Sequence, residues 1–419
     1  MNDDKKNNLL KLFAWITMTI FYCYQYVLRI MPNIIMPDMV DKFNIGASEY
    51  GSFGSIYYIG YSLAHIPVGL FLSRFSARIV LPICIILTGV GLVPVIYTES
   101  WNGVLWGRVI TGIGSCAAAV GAIQVFRIVF PNNFTKMLGF MVFTGLVFAK
   151  YGGDVFSNTL HSIGLSAILN ILLYAGLILS VITYFLMPKS TEEVSHHSLI
   201  SDIKAVLFNP RILFVGMIAG LMLGPLEGFA DVWGSAFLIN VYEIEKIVAD
   251  KITNSIMLGM AAGCIILPYI AEKFKFYYGT VLVSAIVMFV AFIYILNGNS
   301  NENILYYVSI IIGVFCAYQV IMIAKITTFV SEERSGIAGA MANMFIMIFG
   351  SIYHKVIGGV IENHWDGATL DDVKVYSDTA YINGVVVIPV GMGLAIIGIF
   401  VILIYEFMKA KRVKTLSTN

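Results

Sequence analysis

Several ionisable residues interrupt stretches that are otherwise apolar, and their types and spacings suggest chemistry. Arg29 stands alone, Lys150 and Asp154 are four apart, Glu227 and Asp231 are four apart, and His354 and Lys355 are adjacent. At hydrocarbon depth such a residue costs at least about 2.5–3.5 kcal/mol unless it faces protein or water. Arginine's planar fork binds a carboxylate or phosphate through two parallel hydrogen bonds. Tyr22, Gln25, Tyr26 and Arg29 recur at three- and four-residue intervals, on one helical face. Arg29, flanked by Tyr26 and Gln25, is therefore the first candidate for holding a substrate anion. The competing reading is a standing ion pair with Asp154 or Asp231 that holds the molecule shut.

The other charges divide by spacing. Lys150 and Asp154 either neutralise each other within one helix, or Lys150 assists the anion while Asp154 exchanges partners. Glu227 and Asp231 share a sign, and two carboxylates close together in a dry site cannot both ionise cheaply. With Asp154 they are the candidate proton-coupling acids. His354 and Lys355 point about 100° apart on a helix, so only one faces a common cavity. Tyr57 and Tyr61 share a face and line either the pathway or the core. Trp233 stacks on a substrate or anchors an outer interface.

The elements that must carry these groups follow from composition. Of 419 residues, 58% are hydrophobic and 12% charged, against about 25% charged in a soluble domain. A soluble enzyme is excluded, and a net charge of +1 offers no field for nucleic acid. The five cysteines lie in apolar runs without ligand-like spacing, so neither a disulfide framework nor a metal site is expected.

A bilayer crossing needs about 20 apolar residues. That ruler gives spans near 11–37, 50–72, 79–97, 101–127, 137–160 and 164–187, then a polar break at 188–210. Six more follow near 211–240, 252–272, 278–297, 303–329, 337–361 and 379–408. With the N-terminus inside, the outer loops hold only Lys42, Lys246, Lys251 and Lys374, while Arg74, Arg78, Arg127, Lys273 and Arg334 fall inside. Both termini are thus expected in the cytoplasm. Arg29, Lys150, Glu227 and His354 lie about 13–17 residues from the inner ends, roughly 20–26 Å of helix and near one depth.

Two inner loops look alike. Gly69, Arg74 and Arg78 follow span 2, and Glu272 and Lys273 follow span 8. Here the chain resembles the major facilitator superfamily, whose loop signature places Gly, an acid and basic residues at these intervals. Ser73 and Ser76 stand where the acid and the second Gly are expected, so the first loop is degenerate. Arg108, Gly112 and Gly114 match a second signature in span 4, where small residues let helices approach closely. Arg108 is expected to be a bundle or gate contact.

The resemblance implies an all-α polytopic membrane protein with twelve transmembrane helices in two six-helix bundles rocking about a central site. The bundles would be residues 1–187 and 211–419, joined by a cytoplasmic linker at 188–210. The expected function is secondary active transport of a small carboxylate-bearing nutrient (an organic acid, amino acid or short peptide) by alternating access and proton symport. The alternatives are an anion exchanger for phosphate or organophosphates and, more remotely, a sensor that has lost transport. No GxSxG, HExxH or P-loop supports an enzyme. No cofactor is expected beyond the proton gradient. The expected partners are the solute and the bilayer, the expected state a monomer, and the expected location a bacterial inner membrane.

Overall fold

The computed structural model describes residues 2–130, 133–187, 204–297, 301–370 and 373–417. Most of the expected linker, residues 188–203, lies outside them.

Nearly all of the chain is helical, because a segment in lipid must satisfy its own backbone N–H and C=O groups. The first bundle runs α1 (Asn2–Phe43), α2 (Ala47–Arg74), α3 (Ala77–Val90), α4 (Leu92–Tyr97), α5 (Trp101–Ser115), α6 (Ala117–Val129), α7 (Phe134–Ile163) and α8 (Leu165–Leu186). The second runs α9 (Pro210–Leu221), a π-helical segment (Gly224–Trp233), α10 (Gly234–Tyr242), α11 (Lys246–Phe274), α12 (Tyr277–Leu296), α13 (Glu302–Cys316), α14 (Tyr318–Thr327), α15 (Glu332–Asn363) and α16 (Asp378–Ser417). A two-stranded hairpin, β1 (Thr369–Leu370) with β2 (Val373–Lys374), precedes α16 and pairs Thr369 with Lys374.

Among the described residues nine helical spans are long and apolar enough to cross a bilayer, and Pro210–Leu221 with Gly224–Tyr242, bent by 45°, make a tenth. α1 and α7, 42 and 30 residues long, have the length for two further crossings. Span 7, expected as one helix, is thus broken, and spans 3, 4 and 10 are interrupted at Gly91, Cys116 and Ala317. The interruptions in spans 4 and 10 occupy matching places in the two halves.

Close backbone contact repeats between the halves as well. A Cβ on Gly112 would collide with the Tyr57 carbonyl, joining spans 4 and 2; one on Gly313 would collide with the Ile256 carbonyl, joining spans 10 and 8. Gly114 faces the Cys84 carbonyl in the same sense, so the span 4 signature packs against two neighbours. Gly69 has only an ordinary 3.8 Å contact with Val120.

The bundles meet chiefly where α2 lies against α15 and α7 against α11. The face remote from the chain termini, called the far side below, is closed by polar bonds. Asn33 donates to Ser235 Oγ (2.8 Å) and Thr253 Oγ1 (3.0 Å) and accepts from the Ser235 N–H (2.9 Å). Ser157 of α7 and Ser235 donate to opposite oxygens of fully buried Asp250, at 2.5 and 2.6 Å. Lys246 reaches Asp38 at 3.3 Å. Tyr376 accepts from the Ala47 N–H and donates to Glu362, which also receives Lys374. Burial and donation to Glu362 push the Tyr376 phenol above its ordinary range.

Candidate functional site

Residues far apart in sequence converge between the bundles. Pro225 lacks an N–H and cannot continue an ordinary helical ladder. From Gly224 to Trp233 the chain takes wider i→i+5 turns, and the Gly234 N–H donates back to the Phe229 carbonyl. Such turns recur at functional sites. Here the segment presents Glu227 and Asp231, both fully buried, towards α1.

Arg29 meets both acids. Its Nη2 donates to Glu227 Oε1, and its Nε lies 3.1 Å from Asp231 Oδ2 and 2.8 Å from Tyr58 Oη. Tyr58 in turn donates to Asp231 Oδ2. The guanidinium also lies over the Tyr26 and Tyr58 rings, at 5.1 and 5.3 Å from their centroids. Among the described residues, one oxygen on each acid, Glu227 Oε2 and Asp231 Oδ1, is buried without a hydrogen bond. His354 donates from Nε2 to the Glu227 carbonyl at 2.5 Å, and its buried Nδ1 makes no hydrogen bond.

A second arginine stands beside this cluster. Arg108 is 1% exposed; its Nη1 donates to the Leu28 carbonyl at 2.8 Å, and its Nε makes no hydrogen bond. Aromatic faces take the place of a carboxylate: Phe53 and Tyr57 lie 5.0 and 4.6 Å from the guanidinium carbon. Tyr57 donates to Gln25 at 3.3 Å and stacks on Tyr61 at 5.9 Å. Two arginines and two carboxylates therefore share one dry region. A buried charge is tolerated only when paired or hydrogen-bonded, and Glu227 Oε2, Asp231 Oδ1 and Arg108 Nε keep unused bonding capacity.

Arg29, Tyr26, Gln25, Tyr57, Tyr61, Glu227, Asp231 and His354 are brought together. Of the two partners considered for Arg29, Asp231 is the one it meets, with Glu227 in addition. Lys150 and Asp154 form their own ion pair, and Asp154 accepts from Asn254 at 3.2 Å, so they belong to the α7–α11 contact. Lys355, about 100° round the helix from His354, is exposed and does not join the cluster. Trp233 is enclosed, donating to the His354 carbonyl at 3.2 Å, as a packing residue. Arg108, bonded to the Leu28 carbonyl of α1, contacts a neighbouring helix of its own bundle.

The loop residues are spread along the terminus-bearing side. Arg78 donates to the Tyr184 carbonyl at 2.6 Å, while Arg74, Glu272 and Lys273 are exposed, and the last two form no ion pair among the described residues. Lys273 instead lies 5.9 Å from the Tyr269 ring. Tyr58 belongs to the same aromatic stripe as Tyr57 and Tyr61 but lies one step off their shared face, so sequence alone did not single it out as a site residue. Sequence reasoning missed Asp250 and Ser157, each in a short polar run, and Asn33 and Ser235, which stand singly among apolar and small residues with no such signal.

A helical chain with about ten membrane-length spans and a charged cluster buried between helices of its N- and C-terminal parts has the architecture of a transporter. Comparison agrees: the model of the Major Facilitator Superfamily matches residues 17–353, and the chain belongs to that family. The fold is similar to that of a bacterial homologue of the human lysosomal transporter Spinster, in an inward-facing, unoccupied conformation. The two are 14% identical, with a TM-score of 0.73 over 96% of this chain and 97% of that one. It is also similar to the nucleoside transporter NupG, at 16% identity and a TM-score of 0.70 over 96% of this chain and 98% of that one. A search of curated proteins returned no match.

Proposed function

We propose that the chain is a secondary active transporter of a small carboxylate-bearing solute, driven by proton symport. The observation that supports this reading is the central cluster, in which Arg108 lacks a carboxylate partner among the described residues while Arg29 is held by two. With both acids ionised the two arginines are balanced. An incoming carboxylate upsets that balance in a region where an unpaired charge costs several kcal/mol. Protonation of Glu227 or Asp231 restores it and frees part of the Arg29 fork. One anion and one proton then enter together.

In this reading residues 1–187 and 211–419 rock about the cluster, the segment 188–210 joins them, and the terminus-bearing side faces the cytoplasm of a bacterial inner membrane. The protein acts as a monomer. Lys150 and Asp154 act as a pair at the α7–α11 contact, where Asp154 changes partners as the bundles separate. At 14% and 16% identity the likenesses to the Spinster homologue and NupG describe the fold and leave the solute open.

A second reading is anion exchange, with phosphate gripped by Arg29 and Arg108 and the acids purely structural. A thermal-shift screen of purified protein against organic acids, amino acids, dipeptides and sugar phosphates at pH 5.5 and 7.5 separates the two, since a ligand stabilises the native state in proportion to its occupancy. Carboxylate hits that strengthen at pH 5.5 and vanish in Arg29→Ala support symport. Hits confined to phosphorylated compounds and indifferent to pH support exchange and overturn the first reading.

A further inference from the structure

Away from the central cluster, a cavity of about 520 Å³ opens on the terminus-bearing side of the second bundle. Its rim gathers charges from three helices: Arg211 at the start of α9, Lys325 near the end of α14 and Glu406 in α16. Among the described residues none of the three forms an ion pair with another. Lys325 rests its ammonium against the Tyr277 and Tyr278 rings, 5.5 and 5.7 Å from their centroids, which aims the charge without neutralising it. The positive end of the α9 dipole lies beside Arg211. Beside the charged rim the lining turns apolar, with Phe214 and Val401 38% and 52% exposed within the membrane-length helices.

We propose that this cavity binds a phospholipid whose headgroup carries a phosphodiester and a primary ammonium. The phosphodiester sits between Arg211 and Lys325, where two cations offer charge-assisted donors. The ammonium donates to Glu406, and the first acyl carbons cover Phe214 and Val401. Glu406 decides the headgroup: it repels a purely anionic lipid, and a trimethylated ammonium offers it no N–H. The apolar floor, continuous with the membrane surface, selects a lipid over a free phosphodiester.

The test is native mass spectrometry of the full-length protein equilibrated with equal amounts of phosphatidylethanolamine, phosphatidylglycerol and phosphatidylcholine. The wild type is expected to retain the ethanolamine lipid preferentially. Arg211→Gln with Lys325→Gln weakens retention by about tenfold or more, while Lys251→Gln, on the far side, leaves it unchanged. Glu406→Gln keeps both cations and is expected to erase the preference for ethanolamine over glycerol, so the proposal stays testable should the double variant fold poorly. Equal retention by wild type and the double variant overturns the site. A preference for phosphatidylglycerol unaffected by Glu406→Gln overturns the headgroup. Displacement of the lipid by an equal concentration of soluble glycerophosphoethanolamine overturns the lipid as the source.

Discussion

Ser157→Ala is expected to loosen the far side. Ser157 Oγ, on α7, donates to Asp250 on α11 at 2.5 Å and thereby ties the first bundle to the second. A hydrogen bond to an ionised group is worth about 1.5–3 kcal/mol. When the far side opens, water replaces the serine, so the loss falls on the closed state alone. At 1.4 kcal/mol per tenfold, the open population rises roughly 10- to 150-fold. The reporter is Asn240→Cys, on the wall of the 270 Å³ far-side cavity, labelled with a membrane-impermeant maleimide. Of the native cysteines, Cys23, Cys84, Cys116 and Cys316 are buried and Cys264 is partly so, and the protein without the reporter supplies the background rate. Labelling is expected to accelerate about tenfold or more in Ser157→Ala. It stays unchanged in Ser162→Ala, whose hydroxyl bonds only within its own helix. A Ser157→Ala rate equal to that of the reporter alone refutes the reasoning.

Other substitutions follow from the same geometry. Gly313→Ala drives a methyl into the Ile256 carbonyl and is expected to destabilise by about 1–3 kcal/mol. Gly139→Ala, with nothing within 4 Å, leaves the melting temperature near that of wild type, and equal melting of the two contradicts the packing account. His354→Ala removes the bond to the Glu227 carbonyl, which anchors the π-helical segment, and is expected to lower ligand-induced stabilisation. Lys355→Gln, on the exposed face, leaves it intact, and the reverse order contradicts the assignment of faces.

Much of this architecture is legible in sequence because lipid imposes a simple rule: about 20 apolar residues per crossing. The ruler works least well where function adds polar residues. Asp250 lies one turn into α11, which begins at Lys246, yet its polar neighbours place it outside the expected span at 252–272. Arg29, Glu227, Asp231 and His354 stand out because their charges are costly at that depth. Which side of a helix meets the cavity is less legible. Adjacency alone says that His354 and Lys355 diverge; only packing shows that His354 turns inward. The same limit holds for Tyr58, visible in the aromatic stripe but off the face that Tyr57 and Tyr61 share. The π-helical segment shifts the phase of every residue after Pro225, which no fixed period reveals.

In the proposed mechanism a carboxylate and a proton occupy the Arg29, Arg108, Glu227 and Asp231 cluster together. The most direct measurement is proton uptake on ligand binding, using a carboxylate hit from the thermal-shift screen and calorimetry in buffers of differing ionisation enthalpy at one pH. Uptake of about one proton per carboxylate bound is expected, because an added anion must be balanced in a buried cluster where two arginines already face two acids. Asp231→Asn is expected to reduce this uptake, and Arg108→Gln to abolish binding. Carboxylate binding with no proton uptake, or binding that survives Arg108→Gln at full strength, would contradict the mechanism.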